Sequence, residues 1–159
     1  MYEARFSPWQ SWGRRRKLRG LELPGVYAIA YTGRDISGKR FEWRKEIIYV
    51  GMTNAVSGLK WRLNQFDNTI FGKRGHGGAD RVRFKYPNYA KLVKKLYVSV
   101  APFKCNVKSN HPTDLRKMGD VAKFEYMSFA HFVERFKKLP KFNNKKESPK
   151  YSKTRGDSA

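Results

Sequence analysis

The chain has 159 residues, which suits one domain with its own core, and hydrophobic residues make up 40% of it. Lys and Arg number 35 against 13 Asp and Glu, a formal charge of +22 that exceeds the needs of solubility and calls for an anionic partner. Cys105 is the only cysteine, which excludes a disulfide framework and a cysteine-based zinc cluster.

Nucleic acid is the expected partner. A membrane is not, because no long apolar segment and no clean basic amphipathic helix stands out. The first residues, MYEARFSPWQSW, lack the apolar stretch of a secretory signal, so an intracellular place is expected, cytoplasm or nucleus/nucleoid.

In chain order, residues 1–20 read as a basic arm. It carries Trp9 and Trp12, then Arg14, Arg15, Arg16, Lys17 and Arg19. The run fits a solvated cluster, a phosphate-contacting arm or a nuclear localisation signal. Gly25 to Tyr31 reads as a first strand, with Val26, Ala28 and Ala30 on one face and Tyr27, Ile29 and Tyr31 on the other. A polar connection leads to a second strand, Glu46 to Val50, expected to be antiparallel to the first. Ser57 to Phe71 reads as a helix, because Leu59, Leu63, Phe66 and Ile70 form one apolar stripe. Ser57 is its expected N-cap and Gly72 its stop. Gly72 to Asp80 reads as a glycine-rich loop. The alternation from Arg81 to Tyr86 suits a half-exposed strand, and Asn88 to Lys95 a short helix. Leu96 to Pro102 reads as a third strand. Lys104 to Lys117 looks irregular, and Asp120 to Lys138 reads as a long helix with Val121, Phe124, Ser128, Phe132 and Phe136 inward. From Lys145 the charged tail is expected to be disordered. The expected fold is α/β, a small sandwich with a three-stranded mixed sheet flanked by helices in the order β-β-α-β-α.

Two tyrosines carry the functional reading. Tyr27 stands in Gly25-Val26-Tyr27 and Tyr49 in Tyr49-Val50-Gly51, on consecutive strands. If those strands pair as a hairpin, both phenols come to one edge of the sheet. On the second long helix, Glu125 falls at the spacing of the core stripe, four residues after Val121 and three before Ser128. A carboxylate in such a slot is costly to desolvate unless a cation compensates it. Arg62 borders the apolar stripe of the first helix and can snorkel toward the sheet edge.

Taken in order, these features resemble the GIY-YIG nucleases, with valine replacing isoleucine in both halves of the signature. The resemblance covers Leu23 to Asn144 and implies a nuclease domain at 21–144. It implies that Arg62 is the catalytic arginine and Glu125 the metal-binding glutamate. Pro140-Lys141-Phe142-Asn143 looks like the family's Pro-x-x-Asn stretch. Asn143 is preferred there by its spacing, with Asn144 adjacent. One departure is Phe66, which stands one turn after Arg62 where many members have a histidine or tyrosine. His76 could substitute for it from the glycine-rich loop, and Lys60 is a second candidate for phosphate contact. The stretch from Gly72 to Tyr89 is longer than the minimal family core needs, a natural place for specificity.

The implied chemistry is hydrolysis of a phosphodiester, with one Mg²⁺ (or Mn²⁺) held by Glu125. Arg62 would fork onto the phosphate oxygens. A tyrosine, Tyr27 by preference, would take the proton of the attacking water. Its ordinary pKa of about 10 must then be lowered by nearby cations. Tyr49 would orient water or phosphate, Asn143 would fix a neighbour by hydrogen bonds, and Gly51 would allow close approach of the substrate. Arg14, Arg15, Arg16, Lys17, Lys60 and His76 are the candidate nucleic-acid contacts. DNA is the expected substrate, with RNA as an open alternative. The competing reading is a non-catalytic basic nucleic-acid-binding module on the same fold.

Overall fold

A computed structural model describes residues 5–146 and 148–151. Its centre is a four-stranded sheet of β1 (Gln10–Ser11), β2 (Gly25–Tyr31), β3 (Ile47–Thr53) and β4 (Leu96–Pro102). The spatial order is β1-β4-β2-β3, and every pair is antiparallel. The α/β class is as expected. The sheet differs in having a fourth strand and no parallel pair.

The extra strand comes from the segment read as an arm. Gln10 and Ser11 pair with Val98 and Tyr97 on the open side of β4. Trp9 and Trp12 are both buried, one on each side of the sheet. A 3-10 turn follows at Trp12–Lys17. Two indoles bury too much apolar area to stay in solvent, so residues 5–20 belong to the domain. Residues 1–4 lie outside the described residues.

Helices cover both faces of the sheet. The face bearing Tyr27, Ile29, Val98 and Val100 packs against α1 (Gly58–Phe71) through Leu59, Leu63, Phe66 and Ile70. The same core takes in α2 (Gly77–Lys85) through Ala79 and Val82, and α3 (Tyr89–Val93) through Leu92. The opposite face, with Val26, Ala28, Ala30 and Val50, packs against α4 (Pro112–Phe136) through Val121 and Phe132. β2 is central and buried on both faces, which accounts for its continuous apolar run.

Four local readings are corrected. Residues 81–85 are helical: Ala79, Val82 and Tyr86 recur at a helical period, and both Ala79 and Val82 are buried. Burial of that stripe outweighs the apparent alternation of Arg81 to Tyr86. α4 starts well before Asp120, because Pro112 begins it rather than breaking it. Proline is compatible with the first helical turn, where its missing N–H costs nothing, and His111 Nδ1 accepts the amide of Thr113. Ser57 does not cap α1 with its side chain. Instead the carbonyls of Leu23 and Leu21 accept the amides of Leu59 and Lys60. The tail read as disordered is anchored at its start. The Ser148 hydroxyl donates to the Lys141 carbonyl, and the Arg83 guanidinium lies 3.9 Å over the Tyr151 ring. Glu147 and residues 152–159 lie outside the described residues.

Candidate active site

The site begins with a fault in β3. Its register against β2 shifts between Ile29 and Ala30, so that Ile29 faces Tyr49 and Ala30 faces Ile47. Ile48 is the extra residue of a bulge. Ile48 and Tyr49 both join the core on the α1 side, while Ile47 and Val50 point to the α4 side. Beyond the bulge Tyr27 stands opposite Gly51. A Cβ on Gly51 would fall 2.4 Å from the Tyr27 oxygen and 2.9 Å from Tyr49 Cε1. The glycine is there because two phenols share its space.

Tyr27 is fully buried, at 0% exposure, and Tyr49 is half-buried. Their ring centroids lie 6.1 Å apart. The Tyr27 hydroxyl is 2.7 Å from His76 Nε2. His76 is 1% exposed and caps α2, its Nδ1 accepting the amide of Ala79 at 3.1 Å. Burial, seconded by the Arg62 charge, holds its pKa at about 3, so the ring is neutral. Gly78 presses on Tyr49 from the other side. A Cβ there would sit 2.3 Å from Tyr49 Cε2. Phe66 fills the floor, with its ring 6.0 Å from Tyr49 and 5.0 Å from His76.

Arg62 lies on α1, part-buried, and donates through Nη1 to the Gln65 side chain. Gln65 in turn donates to the Gly75 carbonyl at 2.9 Å, tying α1 to the loop before α2. The guanidinium charge is felt by Tyr27, Tyr49, His76 and Glu125 alike. Burial raises the pKa of Tyr27 well above the ordinary phenol value. The neighbouring Tyr49 adds to this, Arg62 opposes it through its charge and a hydrogen bond, and Glu125 adds a last upward push. Burial also raises Tyr49, opposed by Arg62. Glu125 is half-buried on α4. Burial raises its pKa, and Arg62 pulls it back.

Asn143 closes the site from behind. Its Oδ1 accepts the Val50 amide at 2.9 Å and its Nδ2 donates to the Val50 carbonyl at 2.8 Å. The neighbouring Asn144 instead accepts the Lys146 amide. The 3-10 turn Lys141–Asn143 is braced by Arg81 of α2, which donates to the Phe142 carbonyl at 3.2 Å. Asn54, just past β3, donates to the Met118 carbonyl and so ties the end of β3 to the helix carrying Glu125.

The expected site residues thus divide. Arg62 lies within electrostatic reach of Tyr27, Tyr49 and Glu125, and Asn143 bonds the backbone of Val50, between Tyr49 and Gly51. Among the expected nucleic-acid contacts, Arg14, Arg16, Lys17 and Lys60 are exposed. Two others are not available. His76 is buried against Tyr27. Arg15 turns inward, paired with Asp67 at 3.4 Å and donating to Asn64 and to the Trp12 carbonyl. Gly78, Arg81 and Gln65 were missed by reading the sequence. The helical spacing of Ala79, Val82 and Tyr86 could have placed Gly78 and Arg81 beside the site, and Gln65 stands three residues after Arg62 on α1.

Among the described residues no three His, Cys, Asp or Glu side chains gather into a metal cluster. A single half-buried carboxylate such as Glu125 fits a different kind of site, one in which a hard cation keeps most of its water and shares phosphate oxygens. No helix among the described residues is long and apolar enough to cross a membrane. Comparison with protein-family profiles, curated proteins and solved structures found no match.

Proposed function

We propose that this protein is a divalent-metal-dependent endonuclease that hydrolyses phosphodiester bonds in DNA. The observation that carries the reading is the convergence of two phenols, one guanidinium and one half-buried carboxylate at the end of β3. Arg62 acts electrostatically on all three of the others. Four polar groups gathered from β2, β3, α1 and α4 are costly to desolvate, and such clusters are typical of functional sites. The resemblance of the two tyrosine motifs to GIY-YIG nucleases gives the cluster its reaction class.

Glu125 would hold Mg²⁺ (or Mn²⁺), which when bound supplies positive charge for the phosphate oxygens. Arg62 presents a planar fork of donors that suits a phosphate, and Gln65 holds that fork in place. It would stabilise charge as the phosphorus becomes crowded. A phenol would accept the proton of the attacking water. Its raised pKa keeps it protonated in the resting site, so proton transfer must follow the arrival of further positive charge. Asn143 keeps Val50, and with it Tyr49 and Gly51, at a fixed height. Gly51 offers the substrate no side chain to clear. The exposed Arg14, Arg16, Lys17 and Lys60 would meet phosphates away from the cut.

The test is incubation with plasmid and with branched DNA, with and without Mg²⁺. The reading expects metal-dependent nicking that Glu125→Ala abolishes. DNA binding without cleavage under all these conditions would instead support the non-catalytic binding module.

A further inference from the structure

We propose, resting on that nuclease reading, that Tyr49 is the phenol that meets the substrate, and that Tyr27 and His76 form a hydrogen-bonded pair behind it that sets its orientation. This reverses the order expected from the sequence, in which Tyr27 was the preferred base.

The direction of the hydrogen bonds decides the matter. His76 Nδ1 accepts the Ala79 amide at the start of α2, so that nitrogen carries a lone pair. A neutral imidazole then has its hydrogen on Nε2. Nε2 lies 2.7 Å from the Tyr27 oxygen, so the ring donates and the phenol accepts. Tyr27 is left with its own hydrogen to give. Tyr49 lies beside it, across the gap left by Gly51. A hydrogen bond from Tyr27 is also among the influences that counter the effect of burial on Tyr49. Donation therefore runs from His76 to Tyr27, with the Tyr49 ring next in line.

Accessibility follows the same order. Tyr27 is fully buried, and only Tyr49 retains solvent exposure. The Tyr49 ring is also well held, with Gly51 on one side, Gly78 on the other and Phe66 beneath. His76 and Gly78 both come from the start of α2, and Arg81 of the same helix braces the turn bearing Asn143. The stretch from Gly72 to Tyr89 thus supplies three supports of the site.

The experiment compares single-turnover cleavage of plasmid DNA with Mg²⁺ across five variants. Tyr49→Phe should lower the rate at least about a hundredfold, the low end for loss of a proton acceptor, while DNA affinity is kept. Tyr27→Phe should cost less, about tenfold. His76→Asn keeps an acceptor near the Nδ1 position but has no donor at the Nε2 position, and should resemble Tyr27→Phe. His76→Gln places an amide donor near the Nε2 position and should recover part of that loss. The double variant His76→Asn/Tyr27→Phe should be no slower than Tyr27→Phe alone, because both break one chain. A larger loss in Tyr27→Phe than in Tyr49→Phe would overturn the assignment, as would full additivity of the double variant.

A second readout does not depend on cleavage. ¹⁵N NMR of the His76 ring should show hydrogen on Nε2 and a bare Nδ1, with the Nε2 resonance moving in Tyr27→Phe. Hydrogen on Nδ1 would refute the pair. If the wild-type protein cuts nothing but the ring shows the expected tautomer, the nuclease reading fails and the buried pair stands.

Discussion

Acidification should destabilise the fold through one buried side chain, His76. The imidazole is 1% exposed and neutral, with a pKa of about 3 in the folded chain. In the unfolded chain it returns to about 6.5. The unfolded state therefore binds a proton first as pH falls, and stability is lost between about pH 6.5 and pH 3. At pH 5 the unfolded histidine is about 30-fold more often protonated than neutral, while the folded one is still neutral. The loss there is RT times the logarithm of that ratio, about 2 kcal/mol, and it is set almost wholly by the unfolded pKa. Above about pH 7.5 the contribution is fully present. The assay is urea unfolding at about pH 7.5 and pH 5, in wild type and in His76→Gln. With a slope of about 2 kcal/mol per molar urea, the wild-type midpoint should fall by about 1 M more than that of the variant. Comparing the two cancels the contribution of every titrating group that both proteins share. Asp35 and Asp114 have carboxyls held below their usual pKa by hydrogen bonds to backbone amides, those of Ser37 and Asn106 respectively, so their contributions fade at lower pH. Equal pH dependence in wild type and variant would show that His76 is not held neutral against Tyr27.

Further expectations concern the frame of the site. Gly51→Ala would push a methyl group against both phenols. It should cost about 1–3 kcal/mol in thermal unfolding and most of the cleavage. Asn143→Ala would strand the amide and carbonyl of Val50, an expected loss of about 2 kcal/mol. Unchanged stability in Asn143→Ala would refute that bracing role. Arg14→Ala and Arg16→Ala should each weaken DNA binding and lower the salt slope by about 0.9. Arg15→Ala should instead appear as lost stability, because its partners are Asp67, Asn64 and Trp12.

Much of the frame could be read from the chain. β2 and β4 were legible because their runs are long, apolar and bounded by glycine or proline. α1 was legible from one clean stripe, Leu59 to Ile70. Tyr27, Tyr49, Arg62, Glu125 and Asn143 are singled out by motif and by the cost of burying a carboxylate, and remain candidates. What stayed hidden has physical causes. β1 contributes only two residues, too few for any period, and its signal was the apolar bulk of Trp9 and Trp12, masked by the arginines that follow. In α2 the polar residues between Ala79, Val82 and Tyr86 imitate a strand's alternation. The bulge at Ile48 cannot be told from an ordinary apolar run. His76 read as a loop residue because its burial depends on Tyr27 and Phe66, which are distant in sequence.

The central claim concerns Glu125 and its companions at the end of β3. The most direct measurement is Mg²⁺-dependent nicking of supercoiled DNA by wild type and Glu125→Ala, with DNA affinity measured in parallel. A metal-dependent nuclease built on Glu125 requires nicking by wild type, none by the variant, and affinity nearly unchanged between them. A variant that nicks as fast as wild type would contradict it.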